Sequence, residues 1–137
     1  MDELAKHLEL IQGVINRMAQ VSFILKGWTV TIVVTLLAVA ASTQNSWYGL
    51  LALFPAIVFW GLDAYYLRQE RLFRCLYDNV RLRSVEPKIS AFSMDTSECQ
   101  GSVESWRRTI LAPTVSMLHG TVVAVVIVVT LLMSWCQ

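Results

Sequence analysis

All 11 lysines and arginines of this chain fall on one side of three apolar stretches, which cover roughly residues 27–41, 47–62 and 109–135. The link Ser42-Thr43-Gln44-Asn45-Ser46 carries no cation, and neither does the tail Cys136-Gln137. Lys and Arg resist translocation and stay cytoplasmic, so a one-sided distribution of this kind orients a membrane protein. The expected topology has the N-terminus inside and Cys136 outside. The pattern argues against a soluble enzyme before any motif is considered.

The composition agrees. The chain has 137 residues, of which 55% are hydrophobic and 15% charged, and its mean hydropathy is +0.54. That is too apolar for an ordinary soluble domain of this size. A net charge of +1 argues neither for nor against nucleic acid. Residues 1–16 are polar and amphipathic, with Asp2, Glu3 and Glu9 and no A-x-A site, so no signal peptide is expected. Three cysteines give no disulfide framework: Cys75 and Cys99 fall on the expected cytoplasmic side and Cys136 on the other. No C-x-x-C or Cys/His spacing suggests a metal, and no cofactor is expected.

A bilayer core of about 30 Å needs ~20 helical residues. Span one reaches that length if residues 21–25 join it, and span two if residues 63–66 do. The first two spans form an antiparallel hairpin, and the third is long enough to tilt. Trp28, Trp47, Trp60, Trp106 and Trp135 fall near span ends, where indole rings prefer the headgroup level. Lys26 and Asp63 each lie about 16 residues, or roughly 24 Å of helix, from the outer link. They are expected at similar depth and able to pair, as a structural ion pair, as snorkelling side chains or as part of a gate.

Leu4, Leu8, Ile11, Ile15, Met18, Ser22 and Leu25 are spaced alternately four and three apart, an a/d heptad repeat that runs into the membrane. Leu8 and Ile15 take a positions; Leu4, Ile11 and Met18 take d positions. Leu at a with Ile at d favours trimers or tetramers. The repeat therefore marks an oligomerisation helix, or else a stripe packed on the chain's own cytoplasmic helix.

Span two continues without Pro or Gly to Arg83 as one helix leaving the membrane. Tyr66, Phe73, Leu76, Tyr77 and Val80 give it an apolar face; Arg68, Arg71, Arg74 and Arg81 give it a basic one. Glu70 precedes Arg74 by four residues, which supports the helix. The basic face is either solvated or turned to lipid headgroups, or it is an anion site. In a symmetric oligomer the arginine row repeats into a focused positive field, and Tyr66 and Tyr77 can stack bases of a single strand. Residues 84–105 read as a polar loop, with Ser102 expected to cap a short helix that leads into span three. Pro113 is expected to kink span three.

His119 lies about 16 Å beyond Arg108 along a continuous helix, near mid-membrane. An ionisable residue there is a gate, proton site or pore-liner, or a neutral histidine bonded to Thr, Ser or backbone of a neighbouring helix. Ser116, Gly120 and Ala124 form a small-residue stripe, as do Gly27, Thr31, Thr35 and Ala38 on span one; such stripes pack helices or, through the threonines, face water. No catalytic constellation is present in the sequence, and the chain lacks the length for the inverted repeats of secondary transporters.

The expected fold is an all-α membrane protein with four parts. They are a cytoplasmic heptad helix over 1–25, a transmembrane hairpin over 26–66, a cytoplasmic helix and loop over 67–108, and a third transmembrane helix over 109–137. Ile15-Asn16-Arg17-Met18, then Phe23 and Lys26-Gly27-Trp28, the tight hairpin, and the exit helix Phe59-Trp60…Asp63…Arg68-Gln69-Glu70-Arg71 form a plan that resembles the Hailong transmembrane effectors of bacterial anti-phage defence. SLATT-type and RipA-like membrane proteins share the hairpin more loosely. The resemblance covers roughly residues 4–83, and span three departs from the two-span plan of SLATT-type proteins.

The resemblance implies an oligomeric ion channel of the bacterial inner membrane, tetrameric, that depolarises the infected cell. It also implies control by a short single-stranded DNA from a partner nucleotidyltransferase, bound on the cytoplasmic side. That ligand would sit on Arg68, Arg71, Arg74 and Arg81 with Tyr66 and Tyr77, and Thr31, Thr35, His119, Lys26 and Asp63 would form the pore or gate. The competing expectations are a non-conducting oligomeric scaffold or regulatory subunit, and a toxin that permeabilises membranes without a ligand.

Overall fold

Helix α1 runs unbroken from Asp2 to Thr43 and α2 from Trp47 to Leu82, joined by a link of three residues. The computed structural model describes residues 2–82 and 92–137. At 1.5 Å per residue the two helices extend about 63 Å and about 54 Å, so both are longer than a ~30 Å apolar slab. After α2 come a single 3₁₀ turn at Ser97–Cys99, a short helix α3 at Trp106–Ile110, and α4 at Pro113–Trp135. All regular structure among the described residues is helical. α1, α2 and α4 are each long and apolar enough to cross a membrane. The expected exit-helix residue Arg83 and the part of the expected loop over 84–91 lie outside the described residues.

The reversal between α1 and α2 is set by local chemistry. Gln44 takes a left-handed φ of 50°, and the Asn45 side-chain oxygen accepts from the Trp47 amide at 3.1 Å, which covers an orphan donor at the start of α2. The far end of the chain closes on the same place: the Gln137 side-chain amide donates to the Gln44 carbonyl. The ends of α1, α2 and α4 that lie away from the lysines and arginines therefore meet at one level.

Span three departs from its expected form. The chain turns at Leu111 and Ala112, and α4 starts at Pro113 instead of bending there. Proline costs nothing at a first helical position, because its missing N–H would have had no helical partner. Ser105 occupies the N-cap position of α3; Ser102 instead donates to the Cys99 carbonyl at 3.1 Å.

Two apolar cores hold the helices together. One joins Val33 of α1, Ala52 and Ala56 of α2 and Val126 of α4. The other, at the charge-bearing end, joins Ile11 and Ile15 of α1 to Leu76 and Val80 of α2, with Leu4, Leu8, Phe73 and Tyr77 against it. The heptad stripe expected between copies is thus used inside the chain. The helix that leaves span two lies antiparallel to it and offers an apolar face of matching period. The cysteines also depart from expectation: Cys75 of α2 and Cys99 of the 3₁₀ turn form a disulfide, and Cys136 is free and exposed.

Candidate functional site

Where the three spans meet, Asp63 of α2 is the hub of a buried polar cluster. Its side chain is fully enclosed, at 0% exposure. Lys26 of α1 places its Nζ 2.6 Å from Asp63 Oδ2. His119 of α4 places Nε2 2.9 Å from the same oxygen. Ser22, one turn before Lys26, donates its hydroxyl to Asp63 Oδ1 and accepts from Lys26 Nζ at 2.9 Å. The carboxylate thus takes donors from two helices that flank its own.

The sequence builds this by register. Ser22 and Lys26 are one turn apart and share a face of α1. Ser22, at an a position of the heptad, continues the seam of Ile11 and Ile15 toward α2. A carboxylate this enclosed is tolerated only when it is paired and hydrogen-bonded, and both conditions are met. The expected pairing of Lys26 with Asp63 is present in the geometry.

His119 differs from expectation in its partner. Contact with Asp63 puts it level with Lys26, about 24 Å of helix from Trp135. Its bond goes to a carboxylate and not to Thr, Ser or backbone. The geometry makes Nε2–H the donor to Asp63; Nδ1 is buried with no hydrogen-bond partner. The Trp60 ring stacks on the imidazole, with centroids 6.3 Å apart and planes 12° from parallel. Trp60 Nε1 donates to the Ile110 carbonyl at 3.0 Å, and Trp106 Nε1 to the Gly61 carbonyl at 3.0 Å. Two indoles thereby fasten α2 to the α3–α4 junction and fix the start of the helix that carries His119.

The other expected gate residues are elsewhere. Thr31 and Thr35 are exposed on the outer face of α1, and their hydroxyls donate to the Gly27 and Thr31 carbonyls at 2.9 and 2.7 Å. Ser22 and Trp60 belong to the cluster without being expected there. Ser22 left a signal, since it is a polar residue at a heptad core position; Trp60 left none beyond its place at a span end.

The expected anion face lies at the same end of the bundle. Arg71 is 3.8 Å from Glu104, Arg74 2.7 Å from Glu70, and Arg81 3.5 Å from Asp78. Arg68 donates from Nε to the Glu104 carbonyl at 3.2 Å. Tyr66 and Tyr77 are half-buried, Tyr77 against the Ile11–Leu76 core. An open cleft of about 260 Å³ is lined by Gln12, Ile15, Arg74, Tyr77 and Asp78. Each member of the row therefore already has an oxygen partner in its own chain, and an incoming anion would compete with these contacts.

Asp95 shapes the turn that leads into the 3₁₀ turn of Cys99. Its carboxylate accepts the Ser97 amide at 2.9 Å, which holds its pKa below the ordinary aspartate value.

The chain matches no protein-family model, no curated protein and no solved structure.

Proposed function

We propose that the protein is an oligomeric pore-forming effector of the bacterial inner membrane. In this reading it is an ion channel of anti-phage defence, gated by a cytoplasmic anionic ligand such as a short single-stranded DNA made by a partner nucleotidyltransferase. The observation that carries the proposal is the Ser22–Lys26–Asp63–His119 cluster, because ionisable groups held between spans are costly and mark ion paths, proton relays or gates by default. Thr31 and Thr35 place two hydroxyl side chains on one exposed face of α1, each bonded back to its own helix and so compatible with either lipid or a water-lined path. Facing a symmetry axis, they would line a path between copies, with the buried cluster behind them as the element that sets the helix arrangement. The heptad stripe is occupied within the chain, so in this reading the copies, taken as four, meet through other faces.

The ligand part of the proposal rests on the arginine row and its tyrosines, together with the resemblance to Hailong effectors. Phosphates would displace Glu104 from Arg71, an exchange of one exposed ion pair for another, and such pairs are individually weak. The Arg74–Glu70 pair is tighter, with Glu70 only 13% exposed, and would keep its contact while Arg74 receives a phosphate on its open side.

A second reading, a non-conducting scaffold, is favoured by two observations: the heptad seam and the arginines both find partners in cis. Planar-bilayer recording of the purified protein separates the two. The channel reading expects ligand-dependent current in the wild type and an altered open fraction in Asp63→Asn. Absence of current in every state, with and without oligonucleotide, selects the scaffold.

A further inference from the structure

We infer that Cys75 and Cys99 are a reversible thiol–disulfide exchange site, and that the closed disulfide clamps the segment over residues 92–105 across Arg68 and Arg71. The inference rests on two parts of the reading above: that the charge-bearing end faces the cytoplasm, and that these arginines receive an anion.

Three observations converge on it. The cysteines are bridged, yet they sit at the end of the bundle that carries every Lys and Arg among the described residues. That end is expected in a compartment where glutathione and thioredoxin keep thiols reduced, and a disulfide that forms there is characteristically a sensor and not a permanent staple. The bridge is also the covalent tie between two elements that otherwise meet through single polar contacts. His7 Nε2 donates to the Ser93 carbonyl at 2.8 Å and its ring lies against Phe92. Asn79 Nδ2 donates to Cys99 Sγ at 3.4 Å, and Ser102 Oγ lies 3.8 Å from Cys75 Sγ; these two sulfur contacts are weak and centre on the bridge itself. Glu104 meets Arg68 and Arg71. The Arg71–Glu104 pair is exposed and long, and such pairs add little. Finally, the bridge lies on the face where it matters. Cys75 follows Arg71 by one turn of α2, and Glu104 follows Cys99 by five residues. Closing the bridge therefore holds Glu104 against the arginines that a phosphate would need.

The chemistry balances with a low-molecular-weight disulfide of the oxidised-glutathione class as oxidant. Cys75 is the more accessible of the two, since Cys99 is buried at 1% exposure. The Cys75 thiolate attacks one sulfur of the oxidant and forms a mixed disulfide. One small thiolate leaves and takes up the proton that Cys75 gave up. Cys99, as thiolate, then attacks the Cys75 sulfur, forms the internal bridge and expels the second small thiol, which takes the second proton. Two protein thiols are oxidised by two electrons, and one small disulfide is reduced to two thiols. Excess reduced glutathione runs the same steps backward.

The test uses the full-length protein in lipid nanodiscs, equilibrated across ratios of reduced to oxidised glutathione and counted for free thiols with a polymer-linked maleimide. The expected count passes from three thiols to one, Cys136 remaining free. A bridge that persists at the most reducing ratio, or never closes at the most oxidising, overturns the inference. Amide hydrogen exchange over 92–105 reads the clamp directly: closure should slow it about tenfold or more, and Cys75→Ser should show the open rate at every ratio. Closure without slower exchange also overturns it.

The two supporting readings fail separately. In the Cys75→Ser/Cys99→Ser variant, an impermeant maleimide should label Cys136 from outside intact cells; lack of labelling contradicts the orientation while the thiol counts stand. Short single-stranded DNA should bind about tenfold more weakly to the oxidised form. No binding in either form sinks the ligand reading, and the exchange rates still decide the clamp.

Discussion

Asp63 is completely enclosed, whereas the side chain of its partner Lys26 keeps 23% of its surface exposed, and that asymmetry decides which substitution is worse. Lys26→Met leaves the enclosed Asp63 carboxylate with the Ser22 and His119 donors but without its fixed countercharge, a loss of roughly 3–5 kcal/mol by analogy with other broken buried pairs. Asp63→Asn leaves an amide that still bonds Ser22 and His119, and frees a lysine able to extend toward headgroups, so its cost should be nearer ~1–3 kcal/mol. The double variant Lys26→Met/Asp63→Asn should then be more stable than Lys26→Met alone. Thermal unfolding of the four proteins in one detergent checks this, and a Lys26→Met variant as stable as wild type would contradict it. The pairing of these two residues was legible in the sequence, because both are counted from the same link along unbroken helices. The contact of His119 with Asp63 was not, because the height of His119 along the bundle depends on the chain turning at Leu111 and Ala112 and restarting at Pro113. The disulfide was equally hidden, since no spacing rule brings residue 99 back to residue 75.

Periodicity in a helix names a face but not what covers it. The stripe from Leu4 to Leu25 was readable as a heptad, and in the structure its seam continues down α1 through Thr29, Val33 and Ala40. The seam packs on α2 along its length because the hairpin makes α2 the nearest antiparallel surface. On α2 the buried positions in the apolar part are small: Ala52 and Ala56 share a core with Val33 of α1 and Val126 of α4, and Gly49 lies against α4, so backbones approach closely there. Gly49 is the tightest point: a Cβ added to it would lie 2.4 Å from Thr130 Oγ1 of α4. Thr130 Oγ1 is itself buried without a hydrogen-bond partner. Gly49→Ala should therefore destabilise the bundle by about 1–3 kcal/mol through overpacking. Thr130→Ala should be close to neutral, as it deletes an unsatisfied hydroxyl, and combining the two should recover much of the loss. Equal unfolding temperatures for Gly49→Ala with and without Thr130→Ala would contradict this packing account.

Across the whole molecule the apolar side chains turn outward. Val30 and Val34 of α1, Leu50, Leu51, Phe54, Ile57 and Val58 of α2, and Val125, Val128, Leu131 and Leu132 of α4 are all exposed. A bundle with a polar cluster inside and an apolar sheath outside suits a lipid solvent. Under the channel reading part of this sheath meets other copies, and the mass of the purified protein corrected for detergent should be four times the 15.5 kDa chain; a monomer mass would oppose that reading. The fold class was legible because hydropathy and one-sided charge are whole-chain properties. Assembly was not, because a sheath that faces lipid and one that faces another copy have the same composition. The pairing of Lys26 with Asp63 also bears on voltage. A single charge carried across a membrane does work of about 2.3 kcal/mol per 100 mV. An ammonium and a carboxylate in contact at one depth feel opposite forces, so the field does almost no net work on the cluster when it moves as a unit. The membrane potential can act on it only by drawing the two charges apart, along the one coordinate that their contact at 2.6 Å opposes.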